Sequence, residues 1–423
     1  MGMRKHLIIG CGPAALSAVQ AIRSISPDDE IKLVTRESSL PYSPAALPYL
    51  LSGELTEAGL FAKGEECLKA MRAELIRGQE VFELLPEKKQ VKYGDGQKEE
   101  YDKLLIATGS HPWVPPLEGL EGVPFHTFRT FNDFKKIQDS LGTRRTIAIY
   151  GAGFVAVELA EKLTLSGHSV LMIARSSLLR KYFGLPIRNF LRETLTKQGV
   201  KIFTDSPLRS IRKVDQGLTL SMNGGKTLSA DLFIAATGVV PNALGSAFIP
   251  GVAGGLQAGR SMETNLPDVY AAGDVAGGPS FFDDAHGVNP ILPEAVEQGK
   301  VAGYNMAGQK TEYRGWIPWN FLRCFDFHAF NIGLTGSEGA QTAEVVEQEE
   351  GNGFLRLILK DHLLIGVECF NQPSINPGVF GYLITRRVPV DEHKDLLLRR
   401  PMETASYLMV RHRRSQSGVF TIK

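Results

Sequence analysis

Gly10-Cys11-Gly12-Pro13-Ala14-Ala15 follows the apolar run Leu7-Ile8-Ile9 and opens a segment, about Pro13 to Ile25, whose apolar residues recur at helical spacing. A second extended run, Ile31 to Val34, comes next. Strand, glycine turn, helix and strand in this order predict a βαβ unit, and the GxGxxA pattern inside it has a physical purpose. Gly10 and Gly12 let the backbone turn tightly and approach a ligand, while Ala15 lets the helix pack closely. The helix N-terminus then offers unpaired N–H groups to a pyrophosphate. The same order returns 141 residues later, from Gly10 to Gly151: Thr146 to Tyr150, Gly151-Ala152-Gly153-Phe154-Val155-Ala156, a helix through about Ser166, and Val170 to Ile173. The chain reads as two dinucleotide-binding folds.

Its 423 residues exceed one ordinary core and suit two or three domains. The run His111-Pro112-Trp113-Val114-Pro115-Pro116 predicts an extended crossing out of the first fold, and Gly238-Val239-Val240-Pro241-Asn242 predicts the return. The expected class is α/β: residues 1–112 and 243–312 form one Rossmann-like domain, 113–242 form a second inserted into it, and 313–423 form a smaller α+β domain.

Lys plus Arg (47) nearly cancels Asp plus Glu (46), so no whole-chain field draws the protein to nucleic acid or an anionic membrane. No apolar run approaches the roughly 18 residues of a membrane span. Met1 to His6 leads straight into the first strand, leaving no room for a signal peptide. Cys11, Cys67, Cys324 and Cys369 lack CxxC or CxxxxC spacing, which argues against a disulfide framework or metal site and for a cytoplasmic protein.

Two further segments add context: Leu104-Leu105-Ile106-Ala107-Thr108-Gly109, and Thr264 to Asp274, whose apolar end reads Val269-Tyr270-Ala271-Ala272-Gly273-Asp274. With the glycine turns, they resemble the pyridine nucleotide-disulfide oxidoreductase superfamily. The resemblance implies that the first fold binds FAD. Gly10, Gly12 and Ala15 would then serve the pyrophosphate, Glu37 the adenosine ribose, and Thr108 and Gly109 the strand end beside them. Gly273 and Asp274 would meet the ribityl chain, and Pro293 and Glu294 would start a helix, from Asn289 through about Ala302, aimed at flavin N1 and O2. It also implies that the second fold binds NAD(P) through Gly151, Gly153, Ala156, Thr237 and Gly238, with Glu158 beside nicotinamide and flavin as the candidate catalytic residue. On the residues alone, Glu158 also reads as a solvent-facing helix position.

After Val170 to Ile173, no acid stands where an adenosine ribose would be held. Ala174-Arg175-Ser176-Ser177 and then Arg180-Lys181 take its place, which either accommodates the 2′-phosphate of NADP or leaves NAD binding intact beside a solvated basic turn.

Many superfamily members pass electrons to a cysteine before a Gly-Leu-Pro-Tyr stretch. Here Tyr42-Ser43-Pro44-Ala45-Ala46-Leu47-Pro48-Tyr49 has Ala45 at that place, and alanine forms no thiolate. Cys11 reads as a small buried residue of the turn. Direct flavin electron transfer remains. Pro41 to Pro44 and Leu47 to Gly53 are similar to the ferredoxin, rubredoxin and nitrite reductase branch, although Leu50 and Leu51 stand where several ferredoxin reductases place a lysine that pairs with the glutamate equivalent to Glu158. Ser39 to Pro44 resembles the NADH-linked flavoprotein subunits of anaerobic 2-oxoacid oxidoreductases. The implied partners are an iron–sulfur or ferredoxin-like protein and NAD(P)H, in a heteromeric complex or homodimer. The basic groups Arg386-Arg387, Arg399-Arg400 and Arg411-His412-Arg413-Arg414 read as a docking surface or as solvated faces, and His328 as structural or interfacial. The alternatives are a stand-alone ferredoxin or rubredoxin reductase, an NADH oxidase, and a non-catalytic FAD-stabilised assembly subunit.

Overall fold

Lys5–Ile9 is the middle strand of a five-stranded parallel sheet whose order is Val269–Ala271, Lys103–Ile106, Lys5–Ile9, Glu30–Thr35, Glu74–Arg77. The computed structural model describes residues 2–143, 145–215, 217–244, 248, 251, 254–335 and 343–416. Ile8, Leu33, Leu104 and Leu105 are wholly buried, as expected of parallel strands covered on both faces. A second parallel sheet has the order Lys201–Phe203, Ser169–Ile173, Thr146–Tyr150, Leu232–Ala235, His126–Thr127. Val269–Ala271 returns to the first sheet after the whole of the second, so the second fold lies within the first along the chain. The two crossings are more than extended links: Ser110–Pro112 and Val239–Pro241 pair as an antiparallel ribbon.

Helix Pro13–Ile25 leaves the first glycine turn and packs against helix Leu292–Met306. Their approach is close because Gly299 and Gly303 face Ala14 and Ala18; a Cβ on Gly299 would lie 2.1 Å from the Ala14 carbonyl oxygen. The second helix starts at Leu292, three residues later than expected, and runs on to Met306. Pro293 sits in its first turn, where a missing N–H leaves no intrahelical bond unmade.

The C-terminal part is a five-stranded antiparallel sheet, ordered Trp319–Cys324, Phe327–Gly333, Leu363–Phe370, Gly353–Lys360, Glu344–Glu350. Helices Pro377–Thr385, Lys394–Arg399 and Pro401–Gln416 follow it. Glu368 ties this sheet to the second fold: fully buried, it accepts the Gly184 N–H (2.8 Å) at the start of helix Leu185–Lys197 and a bond from Arg356 Nη1 (2.8 Å).

Candidate functional site

Gly10 has φ +112°, and a Cβ there would lie 2.1 Å from the Ala107 carbonyl oxygen, so only glycine lets these two strand ends meet. At Gly12 the situation is reversed. It is the N-cap of helix Pro13–Ile25, no side chain caps the helix, and a Cβ would meet nothing within 4 Å. Space and free helix N–H groups together form an anion cradle. Ala15 is fully buried behind it. The second fold repeats the device: a Cβ on Gly151 would lie 2.1 Å from the Ala236 carbonyl oxygen, and Gly153 is an uncapped N-cap facing open space. Ala156 is fully buried against the turn. Gly238 has φ +122° and open space beside it, and the Thr237 hydroxyl donates to the Trp113 carbonyl.

Gly273, at φ +81°, donates its N–H to Gln298 Oε1 (2.8 Å), which fixes the end of Val269–Ala271 to helix Leu292–Met306. Asp274 Oδ2 accepts from Ser110 Oγ (2.7 Å) and Arg129 Nη2 (2.6 Å). Thr108 exchanges two hydrogen bonds with Asn242 (2.8 and 2.9 Å), closing the ribbon beside Gly109. Glu37 accepts from the Tyr42 hydroxyl (2.7 Å), which itself accepts the Phe131 N–H (2.8 Å). The next residue, Ser43, has a buried hydroxyl with no partner among the described residues. Open space before Gly12, an uncapped helix and the orphaned Ser43 hydroxyl fit a bound FAD.

Glu294 departs from its expected use. It is buried, accepts the Ile317 N–H (3.0 Å) and the Tyr313 hydroxyl, and burial raises its carboxyl above the usual range. Its carboxylate locks the helix start to the segment leading into the C-terminal sheet instead of facing a ligand, so only Pro293 and the backbone of that turn remain for one.

Glu158 is partly buried on helix Phe154–Leu165. Burial, reinforced by repulsion from Glu161 and opposed by Lys162, pushes its carboxyl up to about 7. Lys162, one turn later, is buried with its Nζ 2.6 Å from Glu54, 3.4 Å from Glu161 and 4.8 Å from the centre of the Tyr49 ring. Lys162 is the cation that acts on Glu158, and its ion pairs are with Glu54 and Glu161. Glu161 also accepts the Phe325 N–H (2.5 Å) from the C-terminal hairpin. Arg129 and Lys162 were not marked by any sequence pattern, because Asp274 and Glu54, which they hold, lie far along the chain, and Tyr42 and Ser43 were read only as part of the Pro41 to Pro44 segment.

Three of the four thiols, Cys11, Cys324 and Cys369, are buried. Burial pushes Cys11 up to about 11 and raises fully buried Cys324 beyond the physiological range. Ala45 is exposed and has no thiol to offer. His328 is exposed on the hairpin.

Ala174 is buried at the end of Ser169–Ile173, while Arg175, Arg180 and Lys181 are exposed. A cleft of about 950 Å³ runs from Asp274 past Trp113, Tyr182, Phe281 and Trp316 to Arg387. Of the basic groups, Arg386-Arg387 and Arg411 to Arg414 lie near one another, since Arg413 stacks on Tyr382 (5.1 Å). Arg399-Arg400 lies at the far end of helix Pro401–Gln416, about 20 Å away at 1.5 Å per residue. Among the described residues there is no His, Cys, Asp and Glu grouping fit for a metal and no helix long and apolar enough to cross a membrane.

The chain is 31% identical over 411 residues to the epsilon subunit of NADH-dependent phenylglyoxylate dehydrogenase from Aromatoleum evansii, covering 96% of this chain and 97% of that one. Its fold matches a covalent putidaredoxin reductase–putidaredoxin complex (TM-score 0.82, 24% identity, 91% and 94% covered). It also matches a water-forming NADPH oxidase bound to NADPH and engineered from the NADH oxidase of Lactobacillus brevis (TM-score 0.85, 24% identity, 92% of each chain). That oxidase carries five substitutions: glycine to alanine, then, 18 residues on, aspartate, alanine and methionine to alanine, arginine and serine, and 5 residues later proline to arginine. In the present chain Ala156, Ala174, Arg175, Ser176 and Lys181 have the same spacing. The two glycine cradles, the Gly273-Asp274 strand end and a match over residues 4–299 place the chain in the pyridine nucleotide-disulphide oxidoreductase family, as an NAD(P)H oxidoreductase that takes FAD and NAD(P).

Proposed function

We propose that this chain is an electron-transfer flavoprotein subunit, passing electrons between NAD(P) and an iron–sulfur or ferredoxin-type partner within a 2-oxoacid dehydrogenase complex of the phenylglyoxylate type. The observation that carries the reading is the thiol-free site: Ala45 replaces a redox cysteine, and Cys11 and Cys324 are buried and inert. The likeness along almost the whole length of the phenylglyoxylate dehydrogenase subunit supports the complex. Residues 1–112 with 243–312 form the FAD domain in this reading, 113–242 the NAD(P) domain and 313–423 the interface domain.

Bound FAD supplies a centre that exchanges a hydride with nicotinamide and single electrons with an iron–sulfur protein. The chain's residues hold it. The helix starts at Gly12 and Gly153 take the two pyrophosphates, and Asp274, fixed by Ser110 and Arg129, accepts from a ribityl hydroxyl. Glu158 holds or releases a proton near neutral pH, and Lys162 keeps that carboxyl from rising further. The cleft from Asp274 to Arg387 opens toward basic groups that suit an acidic partner. Charge reversal of Arg386, Arg387 and Arg413 to glutamate is expected to slow transfer to ferredoxin and abolish its salt dependence, while leaving reduction by the nucleotide intact. Unchanged transfer would remove this docking surface.

A stand-alone reductase of ferredoxin or rubredoxin is the second reading, favoured by the fold shared with the putidaredoxin reductase complex. Turnover with free ferredoxin at the rate seen in a purified complex would select it.

A further inference from the structure

Strand Ser169–Ile173 ends where the adenosine ribose meets a fold of this kind, and the loop after it carries only positive charge. From Ala174 to Arg192 there are five basic side chains, Arg175, Arg180, Lys181, Arg188 and Arg192, and no Asp or Glu. A carboxylate at the strand end binds ribose hydroxyls and repels a 2′-phosphate. An alanine followed by an arginine does neither, and it admits the phosphate.

The backbone holds this loop at the mouth of the second glycine turn. The Ala174 N–H donates to the Phe203 carbonyl (2.8 Å), and its carbonyl accepts from Ser206 N–H (3.2 Å). The Leu179 N–H donates to the Ala152 carbonyl (2.8 Å), folding residues 174–179 back on the turn. Ser177 accepts from Arg188 Nη1, which pins the loop to helix Leu185–Lys197, and the buried Arg188 Nε has no partner. Arg175, Arg180 and Lys181 are exposed, and none of them has a carboxylate partner among the described residues. Asp205 stands in the adjoining loop, one residue before Ser206, whose N–H bonds the Ala174 carbonyl. The segment itself therefore brings cations and no acid to the end of the ribose strand.

We infer that this chain selects NADP(H), with Ala174, Arg175 and Ser176 forming a 2′-phosphate subsite and Arg180 and Lys181 at its rim. The inference rests on the second fold being the nicotinamide dinucleotide domain, and it departs from the NADH named for the Aromatoleum evansii relative. Four of the residues introduced into the engineered NADPH oxidase occur here at the same spacing, and Lys181 stands in for the fifth, an arginine. Ala156 belongs to the set: fully buried, it lies against Gly151 inside the helix that follows the turn.

Calorimetric titration of the FAD-loaded chain with adenosine 2′,5′-bisphosphate and with 5′-ADP tests this without turnover. The 2′-phosphate compound is expected to bind at least about tenfold more tightly, a preference that shrinks with added salt. Arg175→Ala, at an exposed residue outside any ion pair, is expected to remove most of that preference, and Ala174→Asp to invert it. Anaerobic flavin bleaching by NADPH and NADH should follow the same order. Equal binding of the two probes, or an Arg175→Ala variant that keeps the preference, overturns the selectivity while leaving the nucleotide domain intact. Binding of neither probe, with no bleaching by either nucleotide, overturns the reading of the second fold together with the inference.

Discussion

Glu158 and Lys162 sit one helical turn apart on the helix that Gly153 begins; burial and then Glu161 raise the Glu158 carboxyl to about 7, and Lys162 opposes the rise. Flavin reduction by the preferred nucleotide is expected to change with pH around 7, and Glu158→Gln should flatten that profile; a profile unchanged in the variant would assign the titration elsewhere. The sign for stability follows from linkage. A carboxyl raised from 4.5 to about 7 holds more protons folded than unfolded in that interval. Its stabilising contribution is therefore present below about pH 4.5 and is lost as pH rises toward 7, a slope that urea titrations of Glu158→Gln should lack. The glycines separate fold from ligand. Gly10→Ala drives a Cβ into the Ala107 carbonyl at positive φ and should cost about 1–3 kcal/mol or more of stability. Gly12→Ala puts its Cβ in open space, so it should leave the urea midpoint of the apoprotein near wild type while weakening FAD binding. At this scale the sequence showed what a local pattern encodes: the glycines and Asp274. Arg129 lies 145 residues from Asp274, and Lys162 pairs with Glu54 across 108, so neither pairing leaves a trace in any short window.

Helix Leu292–Met306 joins the cradle to the C-terminal sheet. Gln298 holds the Gly273 N–H, Glu294 holds the Ile317 N–H, and Gly299 and Gly303 let the helix lie against Pro13–Ile25. Gly299→Ala would place a Cβ 2.1 Å from the Ala14 carbonyl oxygen and force the helices apart. A loss of about 1–3 kcal/mol in chemical unfolding, with faster FAD release, is expected; wild-type stability and retention of FAD would contradict the packing argument. Both βαβ units were legible because period 2 and period 3.6 alternate around a glycine turn. The start of Leu292–Met306 and the use of Glu294 were not, since they depend on Tyr313 and Ile317 arriving from the next segment. The crossing ribbon likewise needed both proline-rich stretches to meet.

Across the whole molecule, near-neutral charge leaves recognition to local surfaces, and the second fold and the C-terminal sheet share one buried apolar cluster to which polar ties are added. Glu368 is the clearest of these. Glu368→Ala removes an acceptor from Gly184 and leaves Arg356 with Glu347 alone, so a loss of about 3 kcal/mol is expected from breaking a buried pair. The fall should show in thermal unfolding followed by aromatic signals from the C-terminal sheet. The insertion of one dinucleotide fold in another was legible from the repeat of the glycine motif and the late Gly273-Asp274 strand. How the C-terminal sheet reaches the second fold was not, because Glu368 and Phe325 announce nothing in their own segments. The central claim is thiol-free electron transfer through a bound flavin, and an anaerobic stopped-flow experiment tests it most directly: the FAD-loaded chain, with and without prior iodoacetamide, is mixed with NADPH or NADH and then with ferredoxin or a viologen. Fast bleaching, rapid reoxidation by the one-electron acceptor and indifference to alkylation are the predicted results; no bleaching, or turnover confined to a disulfide acceptor and blocked by alkylation, would contradict the account.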